Sequence, residues 1–428
     1  MRIFLAGIVV TAAAAAIAAQ SPPAMLNQET LLRVATRHGS TVLAYWVTDG
    51  ATVVRVVGRD GRATTESIPV TRARLQRLVQ LTWPVPSAAG SAGPKVPSEA
   101  EPTGLPPPEP VPGALQFVTM RGGEALASTG QEGGAYRALY DLLIAPIRGA
   151  LPGRDSLLTI VADGPLTELS FAPLSNENGR VLLEDFRLHY LPVSSVEPPE
   201  PTRAVAGRDR FLLVSNPSSA ARAAAASPPP IPGSEREVRA VVRALGLTDA
   251  TTLTGKAATE TAVRAAIGAA RVVHLATHAR WLNDQPSSAA LFLASETGPR
   301  GLDGQLTAAE IARLQLTTDL VALSVSYVGG SIPGEDRQAI PLAFLAAGAR
   351  AVLTTLWDVG EETWQPLMPR FYVEWQKGGD KSGALRTAQL SVLRDLRAGR
   401  LKVNTPTGDA VLPPHPFLWA NAMLIGEP

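Results

Sequence analysis

From Ile231 onward the chain alternates short, β-branched apolar runs with amphipathic stretches of helical length, and this alternation constrains the fold more than any other feature. Strand-length runs fall at 251–254, 272–276, 291–293, 320–324, 350–356 and 419–425, with helical stretches at 234–245, 259–268, 307–314, 340–347, 361–376 and 381–398 between them. Strands joined through helices pair in parallel and must be covered on both faces. The predicted fold class is therefore α/β, a mostly parallel sheet with helices on both faces. Local signals agree. Ser234 with Glu237, and Thr307 with Glu310, have capping-box spacing, and Gly246 closes the first of these helices. The charges of 234–243 read as a solvated helix face.

The preceding part is richer in strands. Two β-rich runs flank Thr48-Asp-Gly50 and predict a hairpin over 40–58, with a further strand at 65–70. Residues 71–82 predict a helix capped by Thr71 that buries Leu75, Leu78, Val79 and Leu81. One helix is expected over 136–151, and strands over 156–161, 187–191 and 210–214. Residues 84–112 are rich in Pro, Ala, Gly, Ser and Glu and read as an extended, disordered excursion, with a Pro-rich recognition motif as the alternative; 218–230 read as a mobile surface loop.

Composition enters mainly by exclusion. The chain has no cysteine, which removes disulfides, thiolate metal sites and a cysteine nucleophile. Its 5 histidines show no metal-ligand spacing, so neither a metal nor a cofactor is expected. A net charge of +1 and 5% aromatic residues argue against nucleic acid as partner. Residues 1–21 read as an export signal: Arg2, an uncharged apolar run over 3–19, and the small-x-small pattern Ala16-Ile-Ala18. An uncleaved membrane anchor is the alternative. Either places the body outside the cytoplasm, periplasmic or secreted.

Two runs concentrate the chemistry: Arg271-Val-Val-His-Leu-Ala-Thr-His278-Ala279, and Asp319-Leu-Val-Ala-Leu-Ser-Val-Ser326-Tyr-Val-Gly329-Gly330. Each is an apolar strand that ends in polar residues, and ligands of open α/β sheets bind beyond the carboxyl edge. A His and a hydroxyl meeting there are the minimum for base-assisted nucleophilic attack. His274, on the same face by period two, reads as a buried, hydrogen-bonded residue. His38, His189 and His415 read as structural or surface residues.

The motifs resemble, in order, those of the CHAT domain, a caspase-like, clan-CD peptidase fold usually found beside tetratricopeptide repeats. They include Leu43-Ala-Tyr-Trp-Val, Tyr140-Asp-Leu-Leu-Ile-Ala-Pro146, Val161-Ala-Asp-Gly-Pro-Leu166, Pro232-Gly-Ser-Glu-Arg-Glu-Val238, His274-Leu-Ala-Thr-His-Ala279, Leu356-Trp357 and Pro416-Phe-Leu-Trp-Ala420. With the export segment and the Pro-rich stretch read above, the resemblance divides the chain into a signal or anchor at 1–21, an N-terminal β/α portion of the domain at 22–83, a Pro-rich insert at 84–115 and a core at 116–428. It puts His278 at the family's catalytic His, and Ser326 at its nucleophilic Cys. Tyr327 and Val328 replace a Glu and a Thr. Backbone N–H groups of Ala279 and Ser326 become oxyanion candidates, and Glu335, Asp336, Glu361 and Glu362 candidates for a substrate pocket.

A serine hydroxyl is far less acidic than a thiol, and it needs an oriented base and an oxyanion hole to attack. The expectation is a retired peptidase that binds a protein or peptide. The alternative is a Ser–His peptidase or esterase.

Overall fold

The computed structural model describes residues 26–86, 118–119, 125–127, 130–196, 210–218, 228–281, 289–295, 303–327, 338–358, 360–378, 380–405 and 408–428. The predicted export segment, most of the Pro-rich stretch, most of the 218–230 loop, and Glu335 and Asp336 lie outside these residues. No helix among the described residues is long and apolar enough to cross a membrane.

The chain opens with α1 (Gln28–His38), then β1 (Thr41–Val47), β2 (Thr52–Val57) and β3 (Ala63–Ile68). Next come α2 (Arg72–Gln80), α3 (Glu132–Leu143), β4 (Leu157–Val161), β5 (Arg187–Tyr190) and β6 (Phe211–Ser215). The regular alternation follows with α4 (Pro232–Leu245), β7 (Thr251–Thr254), α5 (Glu260–Ile267), β8 (Val272–Ala276) and β9 (His278–Trp281). It continues with β10 (Ala289–Phe292), β11 (Gln305–Thr307), α6 (Ala308–Ile311), β12 (Leu320–Leu323), β13 (Ser326–Tyr327) and α7 (Ala339–Ala346). The chain closes with β14 (Ala351–Thr355), α8 (Glu361–Gln376), α9 (Lys381–Arg397) and β15 (Ala422–Gly426).

Among the described residues the main sheet has eleven strands, in the order β7-β6-β8-β12-β14-β15-β5-β4-β1-β2-β3. Strands β7, β6, β8, β12 and β14 run parallel to one another. Strand β15 is antiparallel to β14 and parallel to β5, which continues in parallel through β4 to β1. The sheet thus has two parallel runs of opposite sense joined at an antiparallel seam, with β2 and β3 added in antiparallel beyond β1. The carboxyl ends of β8 and β12 and those of β4 and β5 therefore lie on opposite edges.

The expected α/β class, with both faces covered, is observed. Val238 and Val241 of α4, together with α8, cover one face of the first half and α9 packs on β5 and β15, while Val263 of α5, Ile311 of α6 and Phe344 of α7 cover the other face of the first half. The hairpin of β1 and β2 forms around the predicted turn. Thr71 caps α2 by accepting from Arg74 N–H at 3.2 Å, but only Leu75 and Val79 are buried there; Leu78 and Leu81 stay partly exposed. The expected helix over 136–151 stops at Leu143 and tightens into a 3-10 segment, Ala145–Ala150, with Pro146 in its first turn. A proline disfavours the α conformation of the residue before it.

The Thr307–Glu310 capping box is present: Thr307 accepts from Glu310 N–H at 3.3 Å, and Glu310 accepts from Thr307 N–H at 2.9 Å. The Ser234–Glu237 box is not. Helix α4 starts at Pro232, so Ser234 lies inside it and donates to Ile231 O at 2.7 Å. Proline suits the first helical turn, where its missing N–H costs nothing. The start moves two residues upstream, and Glu237 turns into the core instead of capping.

Candidate active site

Strand β8 does not run on to His278. The chain leaves the main sheet at Thr277, and His278 opens β9; likewise β12 ends at Leu323, and Ser326 opens β13. His274 and His278 therefore do not share a face of one strand. Strands β9 and β13 pair again in a second sheet of order β11-β10-β9-β13, parallel, with His278 directly opposite Ser326. Ser324 N–H donates to Leu275 O at 2.9 Å and Ser326 N–H to Thr277 O at 3.2 Å, so the two crossing segments stay in step. The two predicted residues are neighbours just beyond the carboxyl edge of the first half.

His278 is almost wholly buried, and its Nε2 lies 2.8 Å from the carbonyl oxygen of Pro229. A carbonyl only accepts, so Nε2 carries a proton and donates it to Pro229. Pro229 is itself held in place. Asn216, in the left-handed region at φ 45°, accepts from Ile231 N–H at 2.8 Å and donates to Glu235 at 2.8 Å. Its own N–H reaches Ala276 O at 3.2 Å. The end of the presumed surface loop is thus part of the site, and no local sequence signal marks Pro229 for that role.

Ser326 is 0% exposed, and its Oγ makes no hydrogen bond. It is therefore not bonded to His278. Its N–H, one oxyanion candidate, donates to Thr277. Ala279, the other, is buried in the second sheet, paired with Leu291 and Tyr327. Glu361 opens α8, ion-pairs with Arg236, and fills the space where Gly233 lacks a side chain. Glu362 beside it is half-buried, and burial pushes its carboxyl above the usual range.

Beneath the site lies a buried polar cluster that sequence reasoning missed. Glu237, His274 and Ser324 are each 0% exposed. Glu237 accepts from Ser324 Oγ and from Trp364 Nε1, both at 3.0 Å. His274 Nε2 is 3.1 Å from Glu237 Oε1, but its N–H is misaligned, so this contact is electrostatic rather than a hydrogen bond. Its Nδ1 lies 3.1 Å from the Tyr372 hydroxyl, which burial and the nearby Glu237 hold well above its ordinary pKa. The buried, hydrogen-bonded His274 is as expected. The solvated reading of α4 fails at Glu237, which faces the sheet.

Residues 134–427 match the CHAT domain. The chain belongs to the CHAT domain family. The family resemblance read from the motifs is thereby borne out. Among curated relatives, human tetratricopeptide repeat protein 28 is 31% identical over 345 residues, 68% of this chain and 13% of that protein. The mouse protein of the same name is 29% identical over 346 residues, again 68% and 13%. The chain thus spans only a small part of these relatives. Among solved structures, the Arg-specific cysteine proteinase gingipain R is similar at 9% identity and TM-score 0.39, over 69% of this chain and 67% of that one. The separase of a Saccharomyces cerevisiae separase–securin complex is similar at 10% identity and TM-score 0.47, over 93% and 31%.

Proposed function

We propose that this CHAT domain is a retired peptidase: an extracytoplasmic module that binds a protein or peptide and does not cleave it. One observation carries the reading. The only group at the nucleophile's position, the Ser326 hydroxyl, is fully buried and bonded to nothing. A serine attacks only when a base removes its proton during the attack, and without ligand this hydroxyl engages no base. The N-terminal apolar segment supports an extracytoplasmic location, and relatives named for tetratricopeptide repeats support work in protein assemblies.

A second reading, an active Ser–His peptidase or esterase, is favoured by the Pro229–His278 bond. It supplies the third member that orients a catalytic imidazole. A fluorophosphonate probe decides between the two. The retired site predicts no labelling of the mature protein, and reaction of a thiol-directed probe with Ser326→Cys only while His278 is intact. Labelling of the unmodified protein that disappears in both Ser326→Ala and His278→Ala would establish the hydrolase instead.

A further inference from the structure

Three donors or near-donors converge on the Glu237 carboxylate inside a largely apolar core. Burying a carboxylate is costly, and well-packed apolar residues would hold the same elements together as well or better. The choice of partners is informative. Ser324 lies two residues before Ser326, and His274 four before His278, so Glu237 touches one residue from each strand that feeds the site. Ser324 is held twice, by its backbone on Leu275 and by its side chain on α4. The same helix begins three residues after Pro229, whose carbonyl fixes the imidazole of His278.

We infer that Glu237 is a positioning residue of the Ser326–His278 site: through Ser324 it fixes the strand end that carries Ser326 to the helix that presents Pro229 to His278. The inference rests on the reading that these two residues form the site. Without Glu237, Ser324 loses its side-chain tie to α4, and the residue at 326 drifts relative to the imidazole. A displacement on the order of 1 Å at a reacting group can cost about 100-fold in rate.

The test uses the full chain with Ser326→Cys, because a thiol has a titratable rate. The rate of alkylation by iodoacetamide is measured against pH, with thermal unfolding recorded for each variant. Cys reactivity follows its thiolate fraction, and a nearby imidazole lowers a thiol's pKa from about 8.5. Adding Glu237→Gln, which keeps the shape and removes the charge, is expected to slow alkylation at neutral pH by about 10-fold or more and to move the profile toward that of an ordinary thiol. Adding Ser324→Ala, which leaves Glu237 and its other partners in place, is expected to act in the same direction by less; it serves as the deciding variant should Glu237→Gln fail to fold. A purely structural role would lower the unfolding temperature and leave the pH profile alone. A profile for either folded variant that superimposes on that of Ser326→Cys overturns the inference. If His278→Ala also leaves that profile unmoved, the site reading itself has failed and takes the inference with it.

Discussion

Two buried histidines sit in the two halves of the sheet, and the protein treats them in opposite ways. His274 on β8 and His189 on β5 are each 0% exposed. His274 lies against a buried carboxylate, Glu237, and a tyrosine hydroxyl. His189 has a hydroxyl as its side-chain partner: its Nε2 is 2.8 Å from the Thr159 hydroxyl, which in turn lies 2.6 Å from that of Ser40, and the His38 ring packs edge-on at 5.0 Å. Burial first, and His38 second, lower the pKa of His189 to about 3. One half thus sets a carboxyl group against its buried imidazole, under the site, while the other sets a hydroxyl there. Burial alone does not set a histidine's role; the neighbouring group does.

The sharpest way to break this comparison is to delete each ring in turn. His274→Leu strips a partner from a buried carboxylate and is expected to cost about 3–5 kcal/mol in urea unfolding. His189→Leu leaves Thr159 with Ser40 and is expected to cost about 1 kcal/mol. Equal losses would mean that the carboxyl group beneath the site has no special energetic role.

The pH dependence of stability comes next. Burial, with Arg37 nearby, lowers the pKa of His38 to about 4, so both depressed groups lie in the reversed half. Above pH 6.5 both rings are neutral in the folded and unfolded chain, and they contribute no pH dependence. Below that value the unfolded chain binds protons that the folded chain refuses. Stability therefore falls as the pH drops from about 6.5, until the rings titrate in the folded state. At pH 5 the loss from His189 alone is about 2 kcal/mol. Urea unfolding at pH 7 and pH 5 should show a shift that shrinks in His189→Gln; an unchanged shift would place the acid sensitivity elsewhere.

Smaller effects sharpen the picture at the helix ends and at the site. Thr307→Ala removes the hydroxyl that accepts from Glu310 N–H and donates to the Glu310 carboxylate and should cost about 1 kcal/mol by thermal unfolding, and Thr71→Ala, with one bond to lose, somewhat less. Ser326→Ala should be neutral or slightly stabilising, within about 1 kcal/mol, because it deletes a buried hydroxyl that bonds to nothing. A clear destabilisation would reveal a partner for Ser326 and revive the hydrolase reading.

Most elements were legible because hydrophobic period and caps are local. The hairpin, α8, α9 and the Thr307 box all follow from residues close together in sequence. The Ser234 box shows where local reading fails. Ser234-x-x-Glu237 and Thr307-x-x-Glu310 have the same spacing, but Pro232 opens the first helix earlier and turns its glutamate inward. The seam was not legible either, since apolar runs carry no record of strand direction. At the site, the motifs placed His278 and Ser326 side by side. The carbonyl of Pro229 and the carboxylate of Glu237 reach it across the fold, and neither a backbone carbonyl nor a glutamate on a charged helix announces such a role.

The seam also bears on how the chain assembles. Strand β5 finds its neighbour β15 only when residues at the far end of the chain arrive, and β15 is also what joins the two halves. Contacts this distant in sequence slow folding, because loop closure must precede their reward. During synthesis at roughly 5–20 residues per second, β1, β4 and β5 wait ten seconds or more with an open edge. The central strand of the finished sheet is thus the last to be laid. Until it is, each half exposes unpaired backbone that another copy could capture, and a factor that shields the β5 edge during synthesis would raise the yield of folded protein.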